Sequence, residues 1–400
     1  GPQIRNMGTI GGNILLDTRC LFYNQTAFWR EALWHCLKAE GDFFLVVPGV
    51  GRSWTFRHAK DAYGEAFYVA TRGLYHQRCG IAYQEPYTAW KRAKCHTAPI
   101  YECEHVPFGP GEMGKPKNYE IFDVFGGSTT EAKKTENVVG GWHDAADWDR
   151  NIFHYSDVFD LLYAFELAPK KFADGQLNIP ESGNGVPDIL DEAEFGLNVW
   201  TLSMDERGGV SGMVETSTHP TMDADFKYAY SLRTRWSSLI YAAAAAQLAL
   251  QVKPFDAKKA DRYRDLALKA YAFGNDPKNS LGKYEIHAAK NRGKGEKYTI
   301  PWDEKEEHNY PYLVHARLRL FLLTSDKAYL EGLPELVGKI KLKPFEWPNT
   351  YGDCVPWFYF PIAKGAAGSL PADFVKSWRD FYVSQADSLL AETEAMPYRH

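Results

Sequence analysis

The sequence predicts an all-α fold class, a large assembly that could arrange helical hairpins in a ring. Three observations point there. Apolar residues recur at helical spacing through most of the chain after residue 50. The run Ala242–Ala246 is a strong helix former with side chains small enough for close packing. Alternating strand patterns are scarce beyond residue 55.

In order, Thr26 caps a short amphipathic helix over 26–39, carrying Phe28, Trp29, Ala32, Leu33 and Cys36. A second covers 61–77 with Tyr63, Phe67, Ala70 and Leu74. The stretch 155–168 presents Val158, Leu161, Leu162 and Phe165 on related faces. The helix over 187–205 opens on Pro187 with acidic residues in its first turn, which suits the helix dipole. Helices over 232–252, 256–274, 310–324 and 371–394 follow. The intervening stretches 104–135, 207–228, 276–308 and 343–356 read as long loops rich in Gly, Pro and charge, and loops of that length usually carry function.

Composition narrows the partners. With 45% hydrophobic and 24% charged residues the chain folds as a soluble globule. A net charge of −5 gives no electrostatic reason to expect nucleic acid or an anionic membrane. No apolar run approaches the roughly 20 residues of a membrane span. The 15% aromatic content suits stacking on sugar faces and equally suits a large core. Cys20, Cys36, Cys79, Cys95, Cys103 and Cys354 are too sparse for a disulfide scaffold.

Chemistry concentrates in Gly140-Gly-Trp-His-Asp-Ala-Ala-Asp-Trp-Asp149. Asp144 and Asp147, three residues apart on a turn entering a helix, can face one cleft. One can then orient a water while the other takes its proton. The same aspartates, with Asp149, could instead cap the next helix or hold a divalent cation. Cys79, Cys95, His96 and His143 are the ligand types of a closed tetrahedral zinc site, although the Cys79–Cys95 spacing is not that of a standard finger. Asp174-Gly-Gln-Leu-Asn178 with Glu181 offers oxygens to calcium, or forms an Asx-type turn before a helix.

Gly140-Gly-Trp-His-Asp-Ala-Ala-Asp147 resembles the nucleophilic-water motif of glycoside hydrolase family 9, the inverting β-1,4-glucanases and relatives, with Ala146 where that family usually has Gly. Three further stretches resemble it in order: Gly73–Gly80 followed by Cys95-His-Thr97, Ile179–Ala193, and Gly208–Glu215. The resemblance covers residues 50–400 and implies an (α/α)6 barrel catalytic domain over 51–400. It implies Asp147 as catalytic base, Asp144 as its water-positioning partner, a structural zinc at Cys79, Cys95, His96 and His143, a β-glucan substrate, and a secreted or periplasmic location. The family's general acid is a Glu after a His-His-Arg type motif near the domain's end. The chain stops at Met396–His400 before either is expected, so the barrel reads as incomplete at its C-terminus and Glu392 and Glu394 are not promoted to that role. Loss of a positioned acid removes roughly 10²–10⁴-fold of rate. A non-catalytic carbohydrate-binding fragment is therefore the alternative function.

Residues 1–50 read as a separate non-barrel segment. Pro2–Asn13, Leu16–Cys20, Phe22–Gln25 and Cys36–Lys38 resemble the flavin-binding segment of 4-hydroxybenzoyl-CoA reductase β-type subunits, the medium subunits of molybdenum hydroxylases. There four cysteines hold an iron–sulfur cluster; Cys20 and Cys36 match two of them, while Phe44 and Ser53 occupy the other places. This resemblance implies a fusion near Val46–Trp54, and a flavin or iron–sulfur redox subunit as a second alternative function.

Overall fold

The computed structural model describes residues 71–95, 100–103, 129–135, 139–143, 150–151, 154–216, 228–289, 297–340, 358 and 361–395. The segment resembling a flavin-binding protein lies outside them. Thr71–Asp387 form one compact unit. The last turns of the C-terminal helix, from Ser388, belong to a second.

Residues 71–75 are helical and end at a turn leading to Cys79. The long helices then follow: α1 (Tyr155–Leu167), α2 (Asp188–Ser203), α3 (Arg235–Val252), α4 (Ala257–Asn275), α5 (Tyr310–Thr324), the short α6 (Leu333–Gly338), and α7 (Ala372–Ala395). The helices expected from periodicity over 155–394 are all present. Their ends move by no more than three residues.

α3 sits at the centre of the helical layer. It packs on α1, α2, α4 and α5, and every residue except Leu250 is buried. This helix is buried on every side: the alanines at 242–246 let its neighbours approach closely, and its buried Arg235, Gln247 and Gln251 find polar partners on them. Its start is fixed by a capping box: Thr234 accepts the Ser237 backbone N–H at 3.2 Å, and the Ser237 hydroxyl receives the Thr234 N–H at 3.3 Å. α4 is capped likewise by Asp256, which accepts from the Lys259 N–H. α5 ends at Ser325 in the left-handed conformation. Trp236 and Phe358 are both buried and belong to the core.

The scarcity of strands expected after residue 55 is corrected by the structure. A five-stranded sheet has the order β2-β1-β6-β5-β3, from β1 (Ile100–Cys103), β2 (Thr129–Thr135), β3 (Arg150–Asn151), β5 (Met213–Thr216) and β6 (Tyr228–Tyr230). Its pairings are antiparallel except β1 with β6. β4 (Val210–Ser211) pairs with β7 (Arg233–Thr234). A hairpin joins β8 (Lys283–Ala289) to β9 (Lys297–Asp303) within the stretch read as a loop over 276–308. Six of these nine described strands, all but β2, β8 and β9, have two to four residues, too few to display a period of two. They are completed by partners far away in sequence.

Candidate active site and metal centre

Asp144, Asp147 and Asp149 lie outside the described residues, as does His96. The structure does describe the platform that feeds the chain into them. Val139–His143 run beside the turn at 77–80 as a short antiparallel ladder. The Cys79 N–H donates to Gly141 O at 2.9 Å, the Gly140 N–H to Cys79 O at 3.4 Å, and the His143 N–H to Gln77 O at 2.7 Å.

α2 forms the floor under this ladder. The Gly141 N–H donates to Phe195 O at 3.1 Å, and Asn198 Nδ2 donates to Val139 O at 2.7 Å. Gly140 has φ +135°, and a Cβ there would lie 2.7 Å from Val199 N and 2.9 Å from Phe195 O. Only glycine combines that φ with so close a backbone approach.

A polar cluster lies beneath the ladder. Glu192, fully buried, accepts the Trp142 indole N–H at 2.8 Å and the Arg78 Nε–H at 3.1–3.2 Å. Arg78 Nη2 stands 2.9 Å from the same carboxylate, while Nη1 reaches Glu181 at 3.0 Å. The guanidinium also lies 4.1 Å over the Phe195 ring. Burial pushes the Glu192 carboxyl up, against Arg78 and the Trp142 N–H, which pull it down. Burial also works against the Arg78 charge, but Glu192 and Glu181 outweigh it and hold its pKa above the ordinary value. Arg78 therefore stays cationic. The motif reading pointed to neither Arg78 nor Glu192. The available signal was a Glu sharing a helix face with Ile189, Gly196 and Val199, where an apolar side chain is expected.

Above the ladder, the ligand atoms of Cys79, Cys95 and His143 all lie within 4.8 Å of one another. Cys95 Sγ is 3.3 Å from His143 Nε2 and accepts the Gly80 N–H at 3.2 Å. Ligands on a tetrahedral zinc, with bonds of about 2.0–2.3 Å, stand roughly 3.5–3.8 Å apart. The three residues thus fit a metal ion by donor type and by spacing. Nearby, the buried His154 immediately precedes α1. Burial pulls its pKa down to about 3, so this imidazole is neutral.

The oxygens offered to calcium are engaged otherwise. Asp174 accepts the Gly183 and Gly185 N–H groups at 2.6 and 2.7 Å, and the Gly183 amide foremost holds its pKa below the ordinary value. Glu181 pairs with Arg78. Asp188 accepts from Gly175 N–H, Leu177 N–H and the Ser182 hydroxyl, folding the loop onto the start of α2. Pro187 sits one place earlier than expected, at the N-cap. These carboxylates staple a loop, and among the described residues the Cys79, Cys95 and His143 group is the metal-ligand cluster that the fold assembles.

The sequence pattern of glycosyl hydrolase family 9 matches residues 63–394. Endoglucanase D of Acetivibrio thermocellus is 26% identical over 377 residues, covering 90% of this chain and 53% of the relative. The crystal structure of a metagenome-derived family 9 endoglucanase superposes with a TM-score of 0.64 at 25% identity, covering 84% of this chain and 56% of that one. A family 9 protein of Bacteroides ovatus superposes with a TM-score of 0.61 at 20% identity, covering 85% and 59%. The chain spans about half the length of the curated relatives it matches. Among the described residues no helix is long and apolar enough to cross a membrane.

Proposed function

Because the chain belongs to glycosyl hydrolase family 9 and has the (α/α)6 barrel fold, we propose that it hydrolyses β-1,4-glycosidic bonds of glucans with inversion at the anomeric carbon. The observation that carries this reading is the anchored turn. Val139–His143 are tied to 77–80 and to α2 by backbone bonds, and Asp144 follows at once in the chain, with Asp147 three residues later. A base must be held within hydrogen-bonding reach of its water, and a pinned platform serves that need.

In this reading Asp147 takes a proton from water while Asp144 orients that water by accepting its second hydrogen. The oxygen attacks the anomeric carbon from the face opposite the leaving sugar, and a carboxylic acid protonates the leaving oxygen. Neither Asp191 nor Glu192 serves as that acid, since both are buried in ion pairs on α2. A β-glucan is too large to cross a membrane, so the reading includes a secreted or periplasmic location.

The metal centre is assigned to zinc, with Cys79, Cys95 and His143 as ligands and His96 as the fourth. Two thiolates and imidazole suit zinc over harder cations. Zinc, when bound, supplies a structural cross-link between the Cys79 turn and the residue preceding Asp144. A metal assay of purified protein that finds no zinc would remove this assignment.

Hydrolysis is tested by reducing-end release from soluble β-glucan. Asp147→Asn is expected to lose about 10²–10⁴-fold of whatever rate the parent chain shows. Retained glucan binding with no release by the parent chain would replace hydrolysis with the non-catalytic reading.

A further inference from the structure

The residues just before two of the metal ligands converge on one buried carboxylate. Arg78 precedes Cys79, Trp142 precedes His143, and both side chains bond Glu192 from opposite ladder strands. α2 is shaped to receive them. One turn after Glu192, Gly196 clears the space for the Trp142 ring: a Cβ there would lie 2.0 Å from Trp142 Cη2. Positions 192 and 196 therefore address the two ends of one indole, its N–H and its benzene edge.

We infer that Glu192 is a positioning residue for the metal centre, fixing the spacing of Cys79 and His143 through Arg78 and Trp142. Its carboxylate touches neither ligand. It holds the side chain preceding each of them, so the two ladder strands cannot slide or part without breaking a buried ion pair or a buried indole bond. The same contact governs how His143 delivers the chain into Asp144. The inference rests on the metal reading of Cys79, Cys95 and His143.

The test uses the full chain and two metals. Zinc affinity is measured by competition with a chromophoric chelator, and ligand geometry by the visible absorption of the Co(II)-loaded protein. Glu192→Gln keeps all ligands and is expected to weaken zinc binding about 10–100-fold, the usual cost of removing an outer partner of a metal site. The Co(II) bands should shift with it, a change that lowered global stability alone does not produce. Glu181→Gln, which touches Arg78 only at Nη1, should leave the Co(II) spectrum unchanged. If Glu192→Gln fails to fold, Trp142→Phe removes the indole N–H, together with the ring edge over Gly196, and reads the same contact, with a loss of about 10-fold expected.

Wild-type affinity and an unshifted spectrum in whichever of these variants folds, with binding abolished by Cys95→Ser, would overturn the inference and leave the metal reading intact. Failure of the wild-type chain to take up either metal would overturn the metal reading and the inference together.

Discussion

Two neighbouring parts of the molecule hold together by opposite means. The Ala242–Ala246 stretch of α3 is held by packing, while the ladder at 77–80 and 139–143 is fixed to α2 by a charged cluster around Glu192. A misfit in the alanine stretch loses dispersion contacts one by one, each worth about 0.1–0.2 kcal/mol. A misfit in the cluster is concentrated, because each buried donor or acceptor that loses its partner keeps its full desolvation cost. The molecule spreads its stabilisation over many small contacts in the scaffold and gathers it into a few polar ones beside the chain that leads to Asp144.

The sharpest way to break the contrast is Glu192→Ala, which leaves Arg78 buried and half-compensated. It should destabilise by about 3–5 kcal/mol in chemical denaturation. Replacing the pair together, Arg78→Met with Glu192→Leu, should cost clearly less. A double variant as damaged as the single would mean that shape rather than charge governs this region.

A pH titration of stability comes next. Asp191, beside Glu192 on α2, is 2% exposed, and burial pushes its pKa from 3.8 up to about 6 despite Lys259 at 3.1 Å. Between those values the folded state keeps a proton that the unfolded state has released, so raising the pH favours unfolding. The stability of the wild type relative to Asp191→Asn should fall from pH 4 to pH 6 by up to about 3 kcal/mol, and then level off. A flat difference would show Asp191 already ionised at pH 4.

In the packing region, Ala244→Leu adds volume where α3 meets its neighbours and should cost about 1–3 kcal/mol without moving the metal-site spectrum. Thr234→Ala removes the cap of α3 and should cost about 1 kcal/mol, read as a lowered denaturation midpoint. If either change altered metal binding, the two regions would not be independent.

Legibility in the sequence followed the same division. The five long helices between 155 and 324 and the C-terminal helix were readable because each repeats an apolar pattern over several turns. The five-stranded sheet and the β4–β7 pair were not, since β3, β4 and β7 are two residues long and take their partners from elsewhere in the chain. The hairpin β8–β9 was hidden by its setting, since Lys, Glu and Gly around it read as loop. At the site, ligand chemistry marked Cys79, Cys95 and His143, and the fold brings those three together. Glu192 carries no ligand chemistry. Only tertiary structure shows that Arg78 and Trp142, far apart in sequence, meet on it.

The ladder also bears on the metal reading of Cys79, Cys95 and His143. Cys79 and His143 bracket a long stretch of chain whose ends the backbone bonds and the Glu192 contacts have already drawn together. Closing such a loop costs entropy that rises only slowly with its length. In the metal reading, an ion would therefore be a second tie across a loop that the backbone bonds of the ladder already close.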